Sequence, residues 1–139
     1  MKIGYTTGVY DLFHVGHLNL LRNAKSMCDK LIVGVTSDEL VSYKHKKSVI
    51  PFDERIEIVR HICFVDLAIP QTSMDKMDAW KKLKFDILFV GDDWYKTDKW
   101  EDIEKQLEGV GVKVVYFPYT KNTSSTLVNE TLLKLRDAN

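Results

Sequence analysis

The chain has 139 residues, with Lys+Arg and Asp+Glu equal at 20 each and 45% apolar residues, a composition that predicts one globular domain with a core that needs no covalent staple. With no net charge there is no global field to gather nucleic acid or an anionic membrane, so any anion must be bound by a local cluster. No apolar run approaches the ~20 residues of a membrane span, "MKIGY" lacks a signal-peptide core, and Cys28 and Cys63 form no CxxC; the expectation is a single domain over 1–139 in a reduced cytoplasm.

The first predicted element is a strand over 2–8, "KIGYTTG", followed at once by "GVYDLFHVGH". A helix over 15–27 places Leu18, Leu21, Ala24 and Met27 on one face. A strand over 30–36 leads into "TSDELVSYKHKK". Pro51 and Asp53 then open a helix over 53–64, with Ile56, Val59, Ile62 and Cys63 on one face. A short strand over 65–70, a helix over 74–84 and a strand over 86–92 come next. A helix over 98–109 closes on Gly109 and Gly111, a strand over 112–118 follows, and "NTSST" caps a last helix over about 124–136. The long strands are nearly continuously apolar, as in a parallel sheet covered on both faces, and their alternation with helices implies right-handed crossovers. The predicted fold is α/β, a Rossmann-like open parallel sheet of about five strands with helices on both faces. Ligands of such sheets sit at the carboxyl ends of the strands. There the chain reads "TTGVYDLFHVGH", "TSDELVSYKHKK", "GDDWYKTDKW" and "PYTKNTSST", four polar connections that suggest one site.

His14 and His17, three apart around Gly16, admit three readings. A closed zinc site needs four ligands, and His45, His61, Cys28 and Cys63 lie at no recognisable spacing from the pair. Two packed core histidines are the second reading. The third is a phosphate cradle. Gly8 and Gly16 let the backbone turn and approach a ligand, and both imidazoles stand near a helix N-terminus whose free N–H groups favour an anion.

"KHKK" (44–47) is either a solvated basic loop or a set of movable charges for a triphosphate. Arg55 is either half of a surface pair with Asp53 or Glu54 or a bidentate clamp on a phosphate; Arg60 reads as an ordinary helix-face residue. Asp92 and Asp93 of "GDDW" can hold Mg²⁺, accept from hydroxyls or cap a helix, with Asp11 beside another strand end and Trp94 either stacking or core. The hydroxyls and amides of "NTSST" serve equally as a helix cap or a phosphate seat.

"GVYDLFHVGH" resembles the HxGH signature of the nucleotidyltransferase superfamily, and its surroundings resemble the cytidylyltransferase branch. The stretches "TSDE" with "KHKK", "FDERIEIVRHICFVDLAIP" and "FVGDDW" fit that branch in order, so the likeness runs from about residue 4 to 131. Members acting on glycerol 3-phosphate are nearest in pattern. The resemblance implies transfer of CMP from CTP to a small phosphomonoester, either glycerol 3-phosphate or a related alditol or amino-alcohol phosphate. The products are pyrophosphate and a CDP-linked compound such as a cell-wall or capsule precursor. It further implies Mg²⁺, a homodimer, and neither nucleic acid nor membrane as partner.

Residues and resemblance together make His14, His17 and Lys46 the catalytic candidates. Thr7, Gly8, Val9, Gly91, Asp92, Thr120, Ser124 and Thr126 join the two histidines in binding nucleotide. Asp11, Lys44, Arg55, Asp93 and Trp94 bind the acceptor, and Asp11 is also the candidate Mg²⁺ ligand. Two departures stand out: Tyr119 and Asn122 replace a family arginine and glycine, with Lys121 nearby, and Val9 replaces the threonine usual in the glycerol-phosphate enzymes. The alternatives are an adenylyltransferase using ATP on a small phosphate, or a catalytically silent nucleotide-binding module.

Overall fold

The computed structural model describes residues 1–43, 48–91 and 98–118. Its centre is one five-stranded sheet of β1 (Ile3–Gly8), β2 (Lys30–Thr36), β3 (Leu67–Gln71), β4 (Ile87–Gly91) and β5 (Lys113–Phe117). The strand order is β3-β2-β1-β4-β5 and every pairing is parallel. The helices are α1 (Val15–Ser26), α2 (Asp38–Tyr43), α3 (Phe52–Arg60), α4 (Lys76–Leu83) and α5 (Asp98–Glu108).

Successive strand residues face opposite ways, and the two halves of the core follow that alternation. Leu31, Val33 and Val35 of β2, with Ile87 and Phe89 of β4, meet Leu21 and Ala24 of α1 and Ile56 and Val59 of α3 on one face. Ile32 and Leu88 point the other way, with Tyr5, to meet Trp100 and Leu107 of α5, Phe85 and Val112. The predicted α/β sheet with helices on both faces is the fold observed.

The boundaries differ in places, each for a local reason. The helix expected over 53–64 stops at Arg60, where the His61 N–H turns back to the Ile58 carbonyl and the Ile62 N–H to the Val59 carbonyl. Ile62 still packs on the core, but Cys63 is exposed. Met27, expected on the buried face of α1, is 41% exposed because it lies past the last helical turn. The strand expected over 65–70 runs over 67–71 and holds Pro70, which is tolerated because β3 is an edge strand. The segment "TSDELVSYKHKK", expected as a loop, contains α2. Ser37 caps it, its Oγ accepting from Leu40 N–H at 3.2 Å and its carbonyl from Val41 N–H at 3.0 Å, with Asp38 and Glu39 suiting the positive end. The expected helix over 124–136 lies outside the described residues. Among the described residues no helix is long and apolar enough to cross a membrane.

Candidate active site

The site begins where the sheet forks. β1 pairs with β4 only as far as Thr6 opposite Phe89, yet both strands run two residues further, β1 beside β2 and β4 beside β5. Thr6 closes the last shared rung by donating its hydroxyl to the Phe89 carbonyl at 2.9 Å. Beyond it, Thr7 and Gly8 part from Val90 and Gly91. This is the reversal in strand order, the place where open α/β sheets take ligands.

Chain leaving β1 turns sharply. Tyr10 (φ 54°) and Leu12 (φ 51°) are left-handed without being glycine, a conformation costing about 1 kcal/mol or more each and common where a loop is held for function. Gly8 is required by that turn, since a Cβ there would meet the Tyr10 ring at 2.9 Å. The loop delivers His14 in extended conformation as the N-cap of α1.

The two histidines cap that helix reciprocally. His14 Nδ1 accepts from Gly16 N–H at 3.0 Å, and His17 Nδ1 accepts from His14 N–H at 3.2 Å. An imidazole whose Nδ1 accepts carries its proton on Nε2, so both rings present Nε2–H. The rings stack at 4.0 Å between centroids. Burial lowers the pKa of His14. Burial first, and His14 second, pushes that of His17 down to about 4. At neutral pH the pair is therefore two uncharged donors. His14 Nε2 is buried with no hydrogen-bond partner among the described residues, which is costly unless a ligand acceptor completes it. That argues against the core-histidine reading.

Two residues expected at the site, Asp11 and Arg55, are engaged with the chain itself. Asp11, 4% exposed, accepts from Val49 N–H with one carboxylate oxygen at 2.8 Å and from Ile50 N–H with the other at 2.9 Å. Each carboxylate oxygen thus takes a backbone hydrogen bond from the chain that follows residues 44–47. Among the described residues no group of three His, Cys, Asp or Glu could hold a metal ion; Asp92 and Asp93, the other acids of the expected Mg²⁺ site, lie outside them. Arg55, 1% exposed, is neither a surface pair with Asp53 or Glu54 nor an open clamp. It donates to the carbonyls of Ile50 (2.9 Å), Val9 (2.7 Å) and Thr36 (2.8 Å) and to Asp38 (2.6 Å). Four of its five N–H groups are thus committed, too many for a bidentate grip on phosphate.

Of the other expected site residues, Thr7, Gly8, Val9, His14, His17 and Gly91 gather at the carboxyl ends of β1 and β4. Lys44, Lys46, Asp92, Asp93, Trp94, Thr120, Ser124 and Thr126 lie outside the described residues. One residue was missed. Lys76, 6% exposed at the start of α4, donates to Thr7 Oγ1 at 3.0 Å and so brings a buried ammonium to the fork. Its signal in the sequence was a lysine directly after the Asp75 cap, a position where the helix dipole disfavours a cation.

The fork, the capped histidine pair and the buried Lys76 meet at the carboxyl edge of an open parallel α/β sheet, where such sheets take ligands. The chain belongs to the cytidylyltransferase-like family of enzymes, whose model matches residues 5–131. It is 35% identical over 133 residues to a glycerol-3-phosphate cytidylyltransferase of Staphylococcus aureus, covering 95% of this chain and 96% of that one. It is 33% identical over 110 residues to an FAD synthase of Methanothrix thermoacetophila, covering 78% and 76%. Among solved structures it resembles the lipopolysaccharide core biosynthesis protein of Thermoplasma volcanium, with TM-score 0.73 and 27% identity over 88% of this chain and 99% of that one.

Proposed function

We propose that this protein moves CMP from CTP onto the phosphate of a small phosphomonoester, with glycerol 3-phosphate the first candidate. The observation that carries the reading is the buried His14 Nε2–H, without an acceptor among the described residues, at the start of α1 and at the fork of the sheet. A nucleotide phosphate oxygen supplies the missing acceptor, and a helix start supplies further donors.

The chemistry asks little of the protein beyond placement. The acceptor's phosphate, with a second pKa of about 6, is mostly dianionic near neutrality and is itself the nucleophile. Its oxygen attacks the α-phosphorus in line, one P–O bond forms as the bond to the β-phosphate bridge breaks, and pyrophosphate leaves. No covalent enzyme intermediate or general base enters. Catalysis reduces to positioning and to donors aimed at developing charge. In this reading His14 and His17 donate to α- and β-phosphate oxygens. Lys46, Ser124 and Thr126 hold the leaving pyrophosphate, and Thr7, Gly8, Val9, Gly91, Asp92 and Thr120 line the nucleotide. Lys44, Asp93 and Trp94 face the acceptor. Mg²⁺ belongs to the reading as the counter-ion of the nucleotide, which rarely needs an all-protein cage. A cytoplasmic homodimer is also part of it.

A second reading, adenylyl transfer from ATP, is favoured by the likeness to an FAD synthase. Pyrophosphate release with Mg²⁺, measured for CTP and ATP separately against glycerol 3-phosphate and a panel of alditol and amino-alcohol phosphates, decides between them. Release with CTP alone supports the first reading and release with ATP alone the second. Nucleotide binding without release under any acceptor sinks both and leaves a binding module.

A further inference from the structure

We propose that Asp11 and Arg55 are positioning residues that hold the histidine loop and the chain on both sides of residues 44–47 as one body. The proposal deepens the transferase reading and rests on it. Asp11 reaches from the histidine loop to the amides of Val49 and Ile50. Arg55 reaches back from α3 to the Val9 carbonyl at the start of that loop, and to the Ile50 carbonyl. The same guanidinium ties Thr36 and Asp38, which precede residues 44–47 as Ile50 follows them. Asp38 in turn accepts from Phe52 N–H at 3.0 Å and Ser48 Oγ at 3.2 Å. Residues 48, 49, 50 and 52 are thus each anchored, either to the histidine loop or to Asp38 at the start of α2.

Two physical needs meet in this network. Asp11 is flanked by the left-handed Tyr10 and Leu12, and such backbone persists only where its surroundings over-determine it. The Asp11 and Val9 bonds do so on both sides of Tyr10. A planar fork with five N–H groups suits three carbonyls and a carboxylate arriving from different segments, which an ammonium cannot match. The functional consequence is distance. The network sets the span between the histidine loop and the start of α3, and with it the place where a phosphate that touches His14 can sit. A displacement of about 1 Å in such a span costs about 10²-fold in rate.

The test uses the full chain and three variants: Arg55→Lys, Asp11→Asn, and Asp38→Asn, whose half-exposed side chain can be changed without opening the core. Wild-type pyrophosphate release first establishes the transferase reading; if it fails, that reading falls and the spectroscopic arm alone judges this proposal. In that arm, Asp38→Asn and Arg55→Lys shift the Val49 and Ile50 amide signals together with the His14 and His17 ring signals, although neither variant touches a ring atom. In the kinetic arm, kcat falls about 10–10²-fold with KM for nucleotide and acceptor within about threefold, and the Asp11→Asn/Arg55→Lys double variant falls little further than the worse single one, as members of one unit do. A tenfold rise in acceptor KM at unchanged kcat in Arg55→Lys would restore the phosphate clamp and overturn the proposal. So would a raised Mg²⁺ requirement in Asp11→Asn, or ring signals indifferent to Asp38→Asn.

Discussion

One ring of His14 offers two contacts: its Nδ1 caps α1, while its buried Nε2–H meets no acceptor among the described residues. The two can be separated by substitution. Asparagine is a good N-cap but has no donor at the Nε2 position, so His14→Asn should keep the thermal midpoint within a few degrees while kcat falls about 10²–10³-fold; His14→Ala should lose both. His17 gives a pH prediction. Its pKa is lowered to about 4 from an ordinary 6.5, so between those values the unfolded chain holds a proton that the folded chain refuses. Stability contributed this way is whole above about 6.5 and is lost as pH falls toward about 4. Protonation also turns Nδ1 from acceptor to donor and breaks the cap. Urea midpoints from pH 7 to pH 4 should therefore decline in wild type and decline less in His17→Gln. An equal decline in both would show that other groups set the slope. Asp38 acts in a lower window: burial alone would raise its pKa, but the Phe52 amide and Arg55 outweigh that and hold it below the usual carboxylate value.

Helix ends show what local sequence decides. Gly111 lies past α5 at φ 85°, with Gly111 N–H bonded to the Glu108 carbonyl and Val112 N–H to the Leu107 carbonyl, the paired bonds of a Schellman stop. A Cβ there would meet nothing within 4 Å, so Gly111→Ala isolates the backbone cost. It should lower stability by about 1 kcal/mol in urea unfolding and leave turnover alone, being at the amino end of β5. Such stops are readable because one residue type and one conformation go together. The cap of α1 was not readable in this way. Histidine is rare as an N-cap, and only the fold shows that two rings can do the work of a serine and a glutamate. The ties of Arg55 were hidden for another reason. Its partners are three backbone carbonyls and an aspartate spread over Val9 to Ile50, and carbonyls leave no mark in a sequence. The neighbours that sequence offered, Asp53 and Glu54, are simply the closest charges along the chain.

At the scale of the molecule, the sheet was legible because its strands are apolar on both faces, and that double burial is also where its stability resides. Phe89, fully buried beside the β1–β4 junction, should cost about 3–5 kcal/mol when cut to alanine, a large part of a typical domain's total, seen as a much lower urea midpoint. A midpoint shift under 1 kcal/mol would mean that this junction is not the heart of the fold. β1 is both the first of the five strands to be made and the one at their centre. One edge is filled as soon as Lys30–Thr36 exists, but the other waits for Ile87–Phe89. At a synthesis rate of about 5–20 residues per second, residues 37–86 keep it waiting for about 3–10 s. For that interval the strand leading to the histidines offers an unpaired apolar edge, and pairing with another nascent chain is the accident it invites. The strand that leads to the candidate site thus stays open on one side until β4 exists.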